Sequence, residues 1–191
     1  LHMAFEFAVK RSYIKNNPCK KIDRPKKEQK EMQYYKSEEI FKLLDNITEY
    51  SSYIPVLLSL TTGMRQAEIA ALTWYNVDLE NGFIKVDAQI QKIGDKLEEL
   101  TLKSTSSYRT IAMFDYTIEA LRKHKAAQEG VIPNLKYVCS NGDGSPYNPD
   151  TLGSNYRRLM KVYNLCDRLG LKYIRFHDLR HSHASFLIAN K

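Results

Sequence analysis

Cysteine is scarce here. The 191 residues hold three, Cys19, Cys139 and Cys166, and their odd number and wide spacing exclude a disulfide framework and a zinc knuckle. That usage fits a reducing cytoplasm. Long apolar runs are missing as well: no stretch approaches the roughly 20 residues needed to span a bilayer. The opening Leu1-His2-Met3-Ala4-Phe5-Glu6 lacks the charged-then-apolar layout of a signal peptide. There is no internal repeat, no low-complexity tract and a single tryptophan, Trp74, which is expected to pack where a helix closes. Gly142 and Gly144 lie in a loop, Asn141 to Pro146, that does not open a helix at nucleotide-loop spacing, so they read as turn residues.

What remains is ordinary globular material, 43% hydrophobic and 27% charged, enough for one sizeable domain with a smaller piece attached. Lysine and arginine number 29 against 22 acidic residues, a net charge of +7. A solubility surplus explains that excess as well as a polyanion partner does. The charge clusters, however, between Lys15 and Lys36 and again between Arg157 and Arg180.

The periodicity divides the chain into three. Residues 1–17 carry an apolar stripe (Phe5, Ala8, Val9, Tyr13) with no partner evident downstream. They read as the last helix of a preceding domain, so the protein is expected to extend further on that side. Residues 18–36 are basic and poor in aliphatics, a linker in which Lys26 and Lys27 could lie along a polyanion backbone. Residues 37–191 form the main domain. Helices are expected from Ser37, read as an N-cap, through Ile47, from Tyr53 to Gly63, from Gln66 through Leu72, from Thr117 to Gln128, and from Asn148 to about Asn164. Between them Phe83–Val86, Gln89–Ile93, Leu97–Leu100 and Arg109–Met113 alternate as short strands, with a brief one at Tyr137–Cys139. Cys166 to Lys172 reads as an irregular lead-in to a closing helix. The fold class is α+β, mainly α, with one small antiparallel sheet.

Chemistry concentrates in two distant stretches. In Thr62-Gly63-Met64-Arg65-Gln66-Ala67-Glu68, a glycine turn puts Arg65 at a helix N-terminus, where backbone N–H groups favour an anion, and Glu68 lies one turn on. By itself that pair is an ordinary helix salt bridge. In His177-Asp178-Leu179-Arg180-His181-Ser182-His183-Ala184, Arg180 is expected one turn after His177 on the same helical face. His177 and His181 have the i, i+4 spacing of a zinc helix. Asp178 replaces that motif's general-base glutamate, Arg180 would sit against the metal, and no third ligand follows, so no metal is expected. His183, among Ala184, Phe186, Leu187 and Ile188, reads as a core histidine, while His181 is open between support and packing. A third stretch, Lys103-Ser104-Thr105-Ser106-Ser107-Tyr108-Arg109, offers hydroxyl and cationic donors suited to a phosphate backbone.

These stretches, with Ile69-Ala70-Ala71-Leu72-Thr73-Trp74 and Phe176, resemble the tyrosine recombinase, or phage-type integrase, family in order and separation, from about Tyr35 onward. The likeness is closest to integrases of phages and conjugative transposons of Gram-positive bacteria. The resemblance implies a tyrosine-recombinase-like catalytic domain acting on duplex DNA. It implies strand exchange through a 3′-phosphotyrosyl intermediate, without cofactor or metal, and assembly as a tetramer on DNA when full length. It assigns Arg65 and Arg180 to the scissile phosphate, Lys103 to general acid, His177 to hydrogen bonding or proton transfer, and Glu68 and His181 to support. Thr62, Ser104, Arg109, Lys26 and Lys27 become candidate DNA contacts. The family's tyrosine nucleophile has no counterpart, since residues 181–191 contain no tyrosine and Tyr173 precedes the motif. The chain as written is therefore expected to be inactive alone and monomeric, a part of a longer enzyme. Type IB topoisomerase-like cleavage, or a non-catalytic DNA-binding homologue, are the alternatives.

Overall fold

The computed structural model describes residues 1–22, 33–102 and 107–189. It forms two compact units, Leu1–Met32 and Gln33–Lys191. The first contains α1 (His2–Lys10) and a 3-10 turn, Pro18–Lys21, and none of the residues of α1 is buried. Asn17 fixes this turn: its Oδ1 accepts the Cys19 N–H at 2.9 Å and its Nδ2 donates to Glu6 at 2.8 Å.

The larger unit is built around one helix. α3 (Tyr53–Thr62) is buried from Ile54 to Thr62, and its sequence, apolar on every side, requires that position. Pro55 falls in its first turn, where the missing N–H has no intrahelical partner to lose. Against α3 pack α2 (Ser37–Asp45), α4 (Gln66–Ala71), α5 (Asp115–Gln128) and α8 (Leu179–Ala189). Phe186 of α8 joins these layers, 5.6 Å from the Phe41 ring of α2 and 4.8 Å from Phe114. Buried Ser182 of α8 accepts the Tyr35 N–H at 2.9 Å, tying the start of this unit to its last helix.

Among the described residues, the antiparallel pairing expected as one sheet falls into two. β1 (Val77–Asp78), β2 (Phe83–Val86) and β5 (Arg109–Ala112) form an antiparallel sheet in the order β1-β2-β5, with Ile84 opposite Ile111 and Val86 opposite Arg109. β3 (Ala88–Ile93) and β4 (Lys96–Thr101) form a separate hairpin about Gly94-Asp95. Tyr137 makes only a bridge to Thr73, not a strand.

Other boundaries move for physical reasons. Ser37 is the first residue of α2 rather than its cap. Lys36 takes the cap position, and its N–H donates to Glu39 Oε2 at 2.8 Å. The long helix from Pro149 is α6 (Pro149–Arg157) followed by a π-helical turn, Arg158–Val162. Residues expected to be irregular form α7 (Leu165–Leu169), closed by Gly170 in the left-handed region; five residues carry too little periodicity to be read. Finally, His177 lies in a 3-10 turn, Phe176–Asp178, ahead of α8 rather than within it.

Candidate active site

Arg65 caps α4 because the chain reverses immediately before it. Thr62 ends α3, and its buried hydroxyl donates to the Leu58 carbonyl and accepts the Met64 N–H at 3.4 Å. Expected at a DNA-facing position, Thr62 instead builds the turn from inside. Gly63 follows at φ +64, and a Cβ there would meet the His183 ring at 2.9 Å. His183 Nδ1 lies 3.0 Å from the Leu60 carbonyl, so the two sequence stretches are packed against each other through this imidazole. Burial, and secondarily the charge of Arg180, hold His183 below its ordinary pKa, while its bond to Leu60 acts the other way.

Glu68 is the centre of the site. Its side chain is 1% exposed, yet it meets two cations. Oε1 accepts from Arg65 Nη1 at 2.8 Å and Arg109 Nη1 at 3.1 Å. Oε2 accepts from the Arg65 main-chain N–H at 2.8 Å and Arg109 Nη2 at 2.8 Å. Burial opposes ionisation, but hydrogen bonds from Arg109 and from both the backbone and side chain of Arg65 outweigh it, and the carboxyl titrates below its ordinary range. Arg109 reaches Glu68 from β5 and also donates to the Ser107 carbonyl at 3.3 Å.

Arg180, in the first turn of α8, completes the group. Among the described residues no carboxylate lies within ion-pair distance of it. Its guanidinium is pulled below its ordinary pKa by burial first and then by the repulsion of Arg65 and Arg109, with Glu68 attracting it. Arg65 and Arg109 thus share the one buried carboxylate, and Arg180, which feels the charge of all three, leaves a local excess of positive charge. His177 is exposed beside it in sequence, its ring 6.5 Å from that of half-buried His181. Asp178, where a zinc helix would put its glutamate, is held by Arg175 at 2.7 Å. Among the described residues no three His, Cys, Asp or Glu side chains gather closely enough to share a metal ion. Lys103, Ser104, Lys26 and Lys27 lie outside the described residues.

The join between Glu68 and Arg109 was not legible in the sequence, where Arg109 reads only as a phosphate donor. Its placement depends on β-strand register, and neither residue signals the other across the intervening chain.

The fold is thus a mainly helical domain with small antiparallel sheets, carrying a cluster of arginines about one buried acid. Residues 33–191 match the Phage integrase family, and the chain belongs to it. It is 29% identical to a XerC-like tyrosine recombinase of Caldanaerobacter subterraneus subsp. tengcongensis, over 96% of this chain and 52% of the relative. It is 27% identical to the ICEBs1 integrase of Bacillus subtilis, over 98% and 52%. The chain thus spans about half the length of these curated relatives. In fold it is similar to the Tn1549 transposon integrase in complex with transposon right end DNA, with a TM-score of 0.80, 22% identity, and coverage of 99% of this chain and 64% of that one. A lambda integrase tetramer bound to a Holliday junction matches with a TM-score of 0.63 at 17% identity, over 96% and 50%. Among the described residues no helix is long and apolar enough to cross a membrane.

Proposed function

We propose that this chain is most of the catalytic domain of a site-specific DNA recombinase, the integrase of a mobile element, working in the cytoplasm. The observation that carries the reading is the Arg65 guanidinium, half exposed and anchored to buried Glu68 by one side-chain bond, with Arg180 free of an ion-pair partner among the described residues. Two guanidinium forks at one phosphate suit the two non-bridging oxygens of a phosphodiester better than ammonium groups would. Their attraction grows as negative charge accumulates in the pentacoordinate transition state.

In this reading a tyrosine oxygen attacks the scissile phosphorus and the bond to the 5′ oxygen breaks. Lys103 delivers the proton that the leaving oxygen takes, and His177 hydrogen-bonds the phosphate or assists proton transfer. The 3′-phosphotyrosyl ester stores the bond energy until the 5′ hydroxyl of another strand reverses the step. The nucleophile in this reading is a tyrosine at the family's position, which nothing in residues 181–191 matches. Residues 1–17 and 18–36 act as the end of a core-binding domain and a basic strap on the duplex, and the complete protein assembles as a tetramer on paired sites.

The test uses the protein carried on to that tyrosine and a nicked suicide duplex. A covalent protein–DNA adduct should form and fall at least about a hundredfold in Arg180→Ala, the loss typical of one removed oxyanion donor. An adduct yield unchanged by Arg180→Ala, or no adduct at all from the unaltered protein, would sink the reading.

A further inference from the structure

We propose that Arg109 is a positioning residue that occupies the fork of Glu68 and thereby leaves the guanidinium of Arg65 free for the phosphate; this rests on the recombinase reading above. A carboxylate has about four lone-pair sites. In Glu68 all four are filled, two by Arg109 through the side-by-side Nη1 and Nη2 contacts at 3.1 and 2.8 Å. Arg65 receives only one side-chain contact, Nη1 to Oε1 at 2.8 Å, besides its main-chain N–H.

The division of labour follows from that count. Arg65 spends one of its five N–H groups on Glu68, and its side chain stays 49% exposed, with no other partner for its fork among the described residues. Arg109 is the more enclosed of the two, 29% exposed. It is fixed at both ends, by strand pairing opposite Val86 and by donation to the Ser107 carbonyl. Removing it opens two acceptor sites on a carboxylate that is 1% exposed and cannot turn to water. Among the described residues, the other guanidinium groups that Glu68 acts on are Arg65, already bonded to it, and Arg180, which feels its charge; both are the groups this reading gives to the substrate. Glu68 would then compete with the phosphate for its own clamp.

A lysine at this position would keep the charge but offer no fork. Single-turnover cleavage of the suicide duplex, with DNA affinity measured in parallel across salt concentrations, separates the possibilities in the protein carried on to its tyrosine. Arg109→Ala should slow cleavage by about a hundredfold, as for a misplaced catalytic group, and Arg109→Lys by about tenfold. The salt slope of DNA binding should fall in Arg109→Ala as well, by up to about 0.9, the share of one phosphate contact, because a diverted guanidinium no longer meets the phosphate. In a Glu68→Gln background, Arg109→Ala should cost no further rate, because its only route to the chemistry has been removed.

Arg109→Lys cleaving at the unaltered rate overturns the proposal even if Arg109→Ala does not fold. So does a further loss of rate when Arg109→Ala is added to Glu68→Gln, the mark of a route that does not run through Glu68. Cleavage by the unaltered protein together with either result leaves the recombinase reading standing. No cleavage by the unaltered protein overturns both.

Discussion

A buried acid between two arginines couples this site to pH. Glu68 titrates below its ordinary range in the folded chain, so between its folded and unfolded pKa the unfolded state binds more protons. Its contribution to stability is complete above the ordinary glutamate value of about 4.3 and drains away as pH falls through the folded pKa. Glu68→Gln should therefore be less stable than the unaltered chain by about 3 kcal/mol near neutrality. That is the low end for a broken buried pair, because both arginines keep contact with water. The gap should shrink as the pH is lowered through the acid range, which urea unfolding of both proteins at several pH values would measure. The Arg65–Glu68 pairing could be foreseen at this scale, since i, i+3 spacing on a helix is a local rule. The competing Arg109 could not, because strand register joins it to Glu68 and no local spacing encodes that register.

At the scale of elements, the junction of α3, α4 and α8 matters most. Gly63 is constrained twice, by its left-handed backbone and by the His183 ring where a side chain would stand. Gly63→Ala should destabilise the domain by about 2–3 kcal/mol, combining the left-handed penalty with the close contact. Gly63→Asn is the informative companion in a thermal melt. Asparagine tolerates the backbone, so recovery of most of the stability would show that backbone conformation alone sets the requirement, whereas an equal loss is expected from the contact. The sequence marked the turn and a core role for His183, but not that the two touch. It put His177 on the closing helix, one turn from Arg180. The structure instead gives His177 its own 3-10 turn, ahead of the helix that carries Arg180.

For the whole molecule, the proposed partner sets the measurable behaviour. If Arg180 meets a phosphate, DNA affinity should fall with rising salt, and Arg180→Ala should flatten the log–log slope by about 0.9. Fluorescence anisotropy on a labelled duplex would read this without any cleavage. A slope unaffected by Arg180→Ala would leave that arginine away from the DNA backbone. One contact also bears on how the molecule is made. The Tyr35 N–H ends on Ser182, and Phe186 wedges between Phe41 and Phe114, so early and late parts of the chain close on each other. During synthesis, residues 33–178 must wait on the ribosome with a gap where α8 belongs, and nothing local can fill it. Arg180 arrives with the same helix that packs Phe186 against Phe41 and Phe114, so a chain that stops short of α8 lacks both that packing and the complete arginine cluster.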